Sequence, residues 1–241
     1  NERLATATQH ISLNRTTAVK CLNLTAKLRS RLNLLINKPK RKMQRSFFTD
    51  SGVVNIAKSL IGNYLFSNID GVLTGGAITE TEAYRGHQDL AMEKHLLRRP
   101  SSISTLKKQG GVAYIYTIYG SHSMLNIVTN DADHTDSVLI RKIKPTEGVD
   151  KMRERRGVNT SLRNLCDGPA KLTQALAITP ALNGEPVLNN TLIWIEQSNH
   201  AIASKQITSS HRIGIDYAKD DQTGKLGARD DTTLPWRFTL K

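Results

Sequence analysis

Apolar positions recur at helical spacing in a few places along this chain and at alternating spacing in many. Val53, Ile56, Ala57, Leu60 and Ile61 repeat as one face of a helix, with Thr49 or Asp50 placed to cap it and Gly62 to stop it. Tyr64-Leu65-Phe66, then Asp70-Gly71, then Ala77 to Tyr84 read as strand, turn and strand. Gly110-Gly111 introduces an alternating run from Val112 to Ile118, and further strands are expected at Met124 to Val128 and Val138 to Arg141. Thr146 is placed to cap a basic helix ending near Arg156. Asp167-Gly168-Pro169 carries the proline-at-first-turn signature of another helix, with Leu172, Ala175 and Leu176 facing inward. The last third offers strands at Leu192 to Glu196 and Arg212 to Ile215, and Leu234 to Phe238 closes the chain. Mixed order without a βαβ rhythm predicts an α+β domain built on a curved, mostly antiparallel sheet flanked by short helices.

A length of 241 residues suits one such domain with an appendage, and the charge distribution locates the appendage. The net charge of +13 is an excess of the kind nucleic-acid binding uses, but residues 1–42 hold ten Lys or Arg against the single acid Glu2. Nine of the thirteen net charges therefore sit in that stretch, which ends in Lys38-Pro39-Lys40-Arg41-Lys42. The chain divides into a basic N-terminal tail or leader, 1–42, expected to lack fixed structure, and a domain, 43–241. Basic, hydroxyl-rich, acid-poor leaders resemble organelle transit peptides; alternatively Met43 is the start and the stretch is upstream sequence. With two cysteines, Cys21 and Cys166, there is neither a disulfide framework nor a Cys/His pair at zinc spacing. No run of about 18 apolar residues suggests a membrane span. The expected setting is intracellular: bacterial cytoplasm, or nucleus or organelle if the leader is genuine.

Candidate chemistry gathers in the middle of the chain. Glu80, Glu82 and Tyr84 share parity on their strand, so a carboxylate and a ring two residues on point the same way. Alone, that also describes a solvated sheet face with an incidental ring. Tyr114, Tyr116 and Tyr119 concentrate three rings within six residues of a chain with 5% aromatics, and Gly120 supplies a turn behind them. Ordinary β-core packing accounts for one or two of them. An ionisable carboxylate, several flat rings and the amide of Asn126 are the parts needed to grip a nucleobase and hydrolyse the bond beneath it.

These residues carry a resemblance. Ile78-Thr-Glu-Thr-Glu82-Ala-Tyr84-Arg-Gly86, then Gly111 to Gly120 and Leu125-Asn126-Ile-Val-Thr129, is similar to the alkyladenine (3-methyladenine) DNA glycosylase family. Val138-Leu-Ile-Arg141-Lys-Ile-Lys-Pro145, Leu165-Cys-Asp-Gly168-Pro169-Ala-Lys171-Leu and Arg212-Ile-Gly214-Ile follow in matching order, so the resemblance spans Met43 to Lys241. It implies a monomeric base-excision-repair enzyme that acts on duplex DNA containing damaged purines and needs neither cofactor nor metal. By the same resemblance Glu82 is the general base that activates a water, and Arg141 fixes that end of the site. Tyr84 and Tyr116 sandwich the extruded base, and stacking contributes about 1–3 kcal/mol per base. Tyr119 is the wedge that fills the gap in the duplex, Asn126 disfavours guanine through its amino group, and Lys171 holds a phosphate near a helix N-terminus. Ser121 and His122 follow the wedge toward the minor groove, and Arg98 with Arg99 suits a phosphate contact; a solvated loop and an exposed strand histidine describe these equally well.

The chemistry is coherent apart from the family. Alkylation of a ring nitrogen makes a purine a cationic leaving group, which paired aromatic rings favour by cation–π attraction. Hypoxanthine, a neutral base, is the harder substrate. No lysine stands where the carboxylate is expected, so hydrolysis in one step, without a Schiff base or strand cleavage, is expected. One position departs from the pattern. Eleven residues after its catalytic Glu the family has a His against the flipped base, and this chain has Glu93 there, within Leu90-Ala-Met-Glu93-Lys-His95. Either Glu93 takes the water-binding role, or His95 substitutes by a two-residue slip. A second acid beside Glu82 would raise one carboxylate and weaken the base. A damaged-DNA-binding protein with weakened catalysis is the alternative reading.

Overall fold

The computed structural model describes residues 41–220 and 228–241. The tail expected at 1–42 therefore lies outside the described residues, except for its last two. Arg41–Lys42 form the short strand β1, followed by helices α1 (Ser46–Thr49) and α2 (Val53–Leu60). Strands β2 (Tyr64–Ile69) and β3 (Val72–Tyr84) make a hairpin whose turn, Asp70-Gly71, has φ of 54° and 75°. Both turn residues are left-handed, which matches the twist of a two-residue hairpin. Next come α3 (Leu90–Arg98), α4 (Ile103–Leu106), β4 (Ala113–Ile118), β5 (His122–Val128) and β6 (Ser137–Glu147). Then α5 (Val149–Arg156), α6 (Pro169–Ala175), β7 (Ile193–Gln197), β8 (Ile207–Ser210) and β9 (Arg237–Leu240) complete the described α-helices and strands, beside short 3-10 turns.

The strands form one curved antiparallel sheet in the order β1-β7-β2-β3-β6-β5-β4, and β9 joins β3 to β8. The fold is α+β, as the patterning predicts. Thirteen-residue β3 is shared lengthwise: its first half pairs β2, its second half pairs β9, and β6 runs along its other edge. One face of the sheet packs on α2 and α6 over the main core, which includes Phe48, Ile56, Leu60, Leu125, Ile140, Met152 and Leu172. The opposite face, at the β4–β5 end, carries a second cluster of Met92, Leu106, Val112, Tyr114 and Val128 beneath α3 and α4. Among the described residues no helix is long and apolar enough to cross a membrane.

Two bulges, among the three register shifts of the β3–β6 ladder, decide which side chains meet. Ile78 pairs Ile143, Glu80 pairs Lys142 and Thr81 pairs Ile140, so Thr79 on β3 and Arg141 on β6 are each left without a partner. Strict alternation would put Ile78 on the same face as Glu80 and Glu82. Instead Ile78, Thr81 and Ala83 turn to the helix side, where Ile78 and Ala83 join the core and the Thr81 hydroxyl donates to Ala57 O at 2.8 Å. On β6, Ile140 and Ile143 both enter that core, while Arg141 and Lys142 both reach carboxylates on the other side.

Several expected boundaries move for identifiable reasons. Thr49 ends α1, and Gly52 precedes α2, which begins without a side-chain cap. Thr146 remains in β6, which continues along β3 to Glu147, and Gly148 at φ 66° starts α5. The strand expected at Arg212 to Ile215 is a loop with Gly214 at φ 74°. Burial of Arg212 against Asp89 anchors this segment, and the preceding Ile207–Ser210 takes the sheet position beside β9.

Candidate active site

The second half of β3, the β4–β5 hairpin, β6, α3 and the 213–217 loop enclose a cavity of about 630 Å³. Tyr84, Tyr116, Asn126, Arg141, Arg98 and Tyr119 all line it, so six residues singled out in the sequence converge. Glu82 is fully buried one contact behind the wall. Its Oε1 accepts the Ile213 N–H at 2.8 Å, and its Oε2 accepts the Tyr84 hydroxyl at 2.9 Å and Arg141 Nη1 at 3.2 Å. All three donors belong to residues of the cavity wall. Burial raises the Glu82 carboxyl above the ordinary carboxylate value, and Arg141, the Ile213 amide, the Tyr84 hydroxyl and Arg212 offset only part of that.

Tyr84 is held from behind the cavity wall, and Tyr116 by neighbours within it. The Arg212 guanidinium lies 4.8 Å from the Tyr84 ring centre. It is in turn gripped by Asp89 at 2.6 and 2.9 Å, with both side chains fully buried. Tyr116 stacks on Tyr114 at 5.4 Å, meets the His95 ring edge-on at 4.7 Å and has Arg99 5.0 Å from its ring centre. Burial raises both tyrosine hydroxyls, and the neighbouring Glu82 adds to this. Asn126, buried on β5 opposite Tyr114 and Leu139, forms part of the cavity wall.

Tyr119 is at the tip of the β4–β5 hairpin with φ 49°, followed by Gly120 at φ 73°, and is 89% exposed. A bulky residue in the left-handed region is uncommon, and an exposed ring gains no burial in return. Ser121 and His122 are exposed beside it. Arg98 ends α3 with its guanidinium 4.3 Å from the Tyr217 ring centre. Lys171 is exposed on α6, two residues after Pro169, which lines the cavity. Among the described residues no group of three or more His, Cys, Asp or Glu is arranged to hold a metal.

Glu93 is the expected site residue that the structure does not bring in. Residues 90–98 are helical, with Asp89 at the N-cap accepting Ala91 N–H at 3.0 Å. Helical geometry turns Glu93 away from the cavity into an ion pair with Arg229 at 3.1 Å, and brings His95 to the wall. The His95 Nε2 is 2.7 Å from the Tyr114 hydroxyl, which donates to Ser102 Oγ at 2.6 Å. Burial, reinforced by Arg99 and Arg98, lowers the imidazole to about 4, so it is neutral at physiological pH. Arg212, Asp89, Tyr217 and the Ile213 amide are the participants that sequence reasoning did not assign, and Arg99, expected at a phosphate, lies against the Tyr116 ring. The legible signal was Asp89 ahead of a run of strong helix formers, a helix start that places His95 one turn from Ala91 and Met92.

A family model for Methylpurine-DNA glycosylase (MPG) matches residues 46–241. The chain belongs to the methylpurine-DNA glycosylase family. It is therefore a DNA-repair glycosylase, a hydrolase whose substrate is DNA. Relatives named "Putative 3-methyladenine DNA glycosylase" include one from Chlamydia abortus, 40% identical over 199 residues, covering 82% of this chain and 97% of the relative. One from Chlamydia pneumoniae is 37% identical over 199 residues, covering 82% and 94%, and one from Clostridium perfringens strain 13 is 35% identical over 207, covering 83% and 96%. The matched glycosylase region contains the whole cavity and both bulges.

Proposed function

We propose that this glycosylase flips alkylated purines, 3-methyladenine and 7-methylguanine foremost and hypoxanthine less readily, out of duplex DNA and hydrolyses their N-glycosidic bond. The observation that carries this reading is the buried Glu82 carboxylate, hydrogen-bonded to Tyr84 and Arg141 of an aromatic cavity that opens beside the exposed Tyr119. The cavity lies within the range of about 300–1,000 Å³ common for ligand sites. Tyr119 enters the base stack as the wedge, and Tyr84 and Tyr116 receive the extruded base. Asn126 excludes the guanine amino group. Arg98, Ser121, His122 and Lys171 meet the DNA around the mouth, where phosphate contacts position the duplex without reading sequence.

The Arg141–Glu82 contact, at 3.2 Å, is the longest of the three that hold the carboxylate. A water inserted there donates a proton to Glu82 while its oxygen attacks the anomeric carbon and the purine leaves with the bonding electrons. No lysine lines the cavity among its described residues, which favours water over an amine as nucleophile and a monofunctional enzyme without lyase activity. The alternative, a damage-binding protein with weakened catalysis, rests on Glu93 as an acid in the base pocket, and Glu93 is paired with Arg229 instead. Single-turnover release of 3-methyladenine and hypoxanthine from duplex DNA tests the reading. Glu82→Gln is expected to slow release by about 10²–10⁴-fold, the usual contribution of a general base, and to retain lesion binding. Wild-type rates in that variant, or binding without release by the unmodified protein, would sink the proposal.

A further inference from the structure

Two buried carboxylates share one guanidinium. Glu80 lies two residues before Glu82 on the same face of β3 and is equally inaccessible. Arg141 Nε donates to Glu80 Oε1 at 2.8 Å, whereas Arg141 Nη1 is 3.2 Å from Glu82. Glu80 has two further cations: Lys142 Nζ at 2.9 Å, itself bound to Asp167 at 2.9 Å, and Arg237 Nη1 at 3.4 Å. Although β9 places Arg237 opposite Glu82 in register, its guanidinium goes to Glu80 and to the carbonyl of His211. Around Glu82 the remaining groups are Tyr84 on its own strand, the Ile213 amide, Tyr116 on β4, and Arg212 beyond the Tyr84 ring. The cations are thus concentrated on Glu80. Burial alone would raise Glu80, but Lys142 and Arg141 bring it below its ordinary value, while Glu82 stays raised.

We propose that Glu80 is a positioning residue that holds Arg141 in common with Glu82 and thereby keeps Glu82 a stronger base than it would be as the sole partner of that guanidinium. The proposal rests on the reading of Glu82 as the general base. It also explains the bulge at Arg141, which places two successive cations, Arg141 and Lys142, over the two carboxylates.

Titration of the Glu82 carboxyl carbon by NMR in ¹³C-glutamate-labelled protein, with the resonance assigned from its loss in Glu82→Gln, provides a test that needs no turnover. Glu80→Gln releases Arg141 to Glu82 and removes a like charge, so the Glu82 midpoint should fall by about one pH unit. The acid limb of 7-methylguanine release should move down with it, because that base carries a permanent charge and requires no protonation. Lys142→Met, at a half-exposed position, leaves Glu80 more dependent on Arg141 and should move the midpoint the other way. Glu80→Asp, which keeps the charge, should return it toward wild type. A Glu82 midpoint unmoved in Glu80→Gln, or lowered in Lys142→Met, overturns the assignment, and Lys142→Met carries the test if Glu80→Gln does not fold. A protein whose Glu82 titrates as described yet releases no base would instead count against the proposed reaction.

Discussion

Replacing Asp89 by alanine strikes a contact on which the cavity wall depends. The carboxylate takes two bonds from Arg212, one from the Ala91 amide at the start of α3 and one from the Arg85 amide at 3.1 Å. Its removal leaves the Arg212 guanidinium buried without its hydrogen-bonded carboxylate, which costs about 3–5 kcal/mol, and removes a helix cap worth about 1 kcal/mol. Against a total stability of about 5–15 kcal/mol that is a large fraction. At about 2–4 °C per kcal/mol for a domain of this size, the melting midpoint should fall by on the order of 10–15 °C. Thermal unfolding followed by tryptophan fluorescence measures it directly, because Trp236 lies 5.2 Å from the Arg212 guanidinium. The decisive variant is the double one, Asp89→Ala with Arg212→Met. With both charges gone, an apolar side chain can occupy the space between Tyr84 and Trp236, so the pair should be less destabilised than Asp89→Ala alone. Additive losses in the double variant, or a single variant within about 1 kcal/mol of wild type, would refute the uncompensated-charge argument.

Three further expectations follow from the same geometry. Tyr119→Ala should leave stability within about 0.5 kcal/mol, since the ring is exposed and its backbone left-handed, while lesion-DNA affinity in a gel-shift assay falls by roughly tenfold or more. Equal affinity for lesion DNA in that variant would remove Tyr119 from the interface. Glu93→Gln should change single-turnover release by less than about twofold and stability by about 0–1 kcal/mol, as suits a partly exposed ion pair; a large kinetic loss would return this acid to the site. His95, lowered to about 4 from 6.5, binds its proton less readily folded than unfolded. Stability is therefore lost as pH falls through that window, by about 3 kcal/mol if the whole shift applies. His95→Gln should flatten the stability profile between those values in urea melts at stepped pH, and an unchanged slope would assign it to other groups.

The elements legible in the sequence are those with a local signature. The α2 periodicity, the Asp70-Gly71 hairpin and the Gly168-Pro169 helix start each need only neighbours along the chain, and each is found where expected. The convergence of Tyr84, Tyr116, Asn126 and Arg141 was legible through the ordered resemblance. What escaped depends on distant partners. Arg212 to Ile215 has strand-like composition, but its backbone is committed to a loop because Arg212 reaches Asp89, 123 residues earlier, and Ile213 reaches Glu82. Of the two alternatives, Glu93 and His95, the structure brings in His95, because the segment is a helix, where two positions mean a turn of about 200° at 3.6 residues per turn. Parity correctly aligned Glu80, Glu82 and Tyr84, yet could not register that Ile78, of the same parity, faces the other way.

That last mismatch bears on how the chain tolerates change in length. Because Thr79 is the unpaired residue of its bulge, deleting it would close that irregularity and leave the one at Arg141 in place. Strict alternation from Ile78 would then still put Glu80 and Glu82 on the face opposite the apolar core, whereas deleting a paired residue such as Thr81 would turn Glu82 toward it. Conservation of hydrogen bonds and conservation of chemistry therefore coincide at Thr79 and part at Thr81. A library of single-residue deletions through β3 should therefore keep more activity on loss of Thr79 than on loss of Thr81.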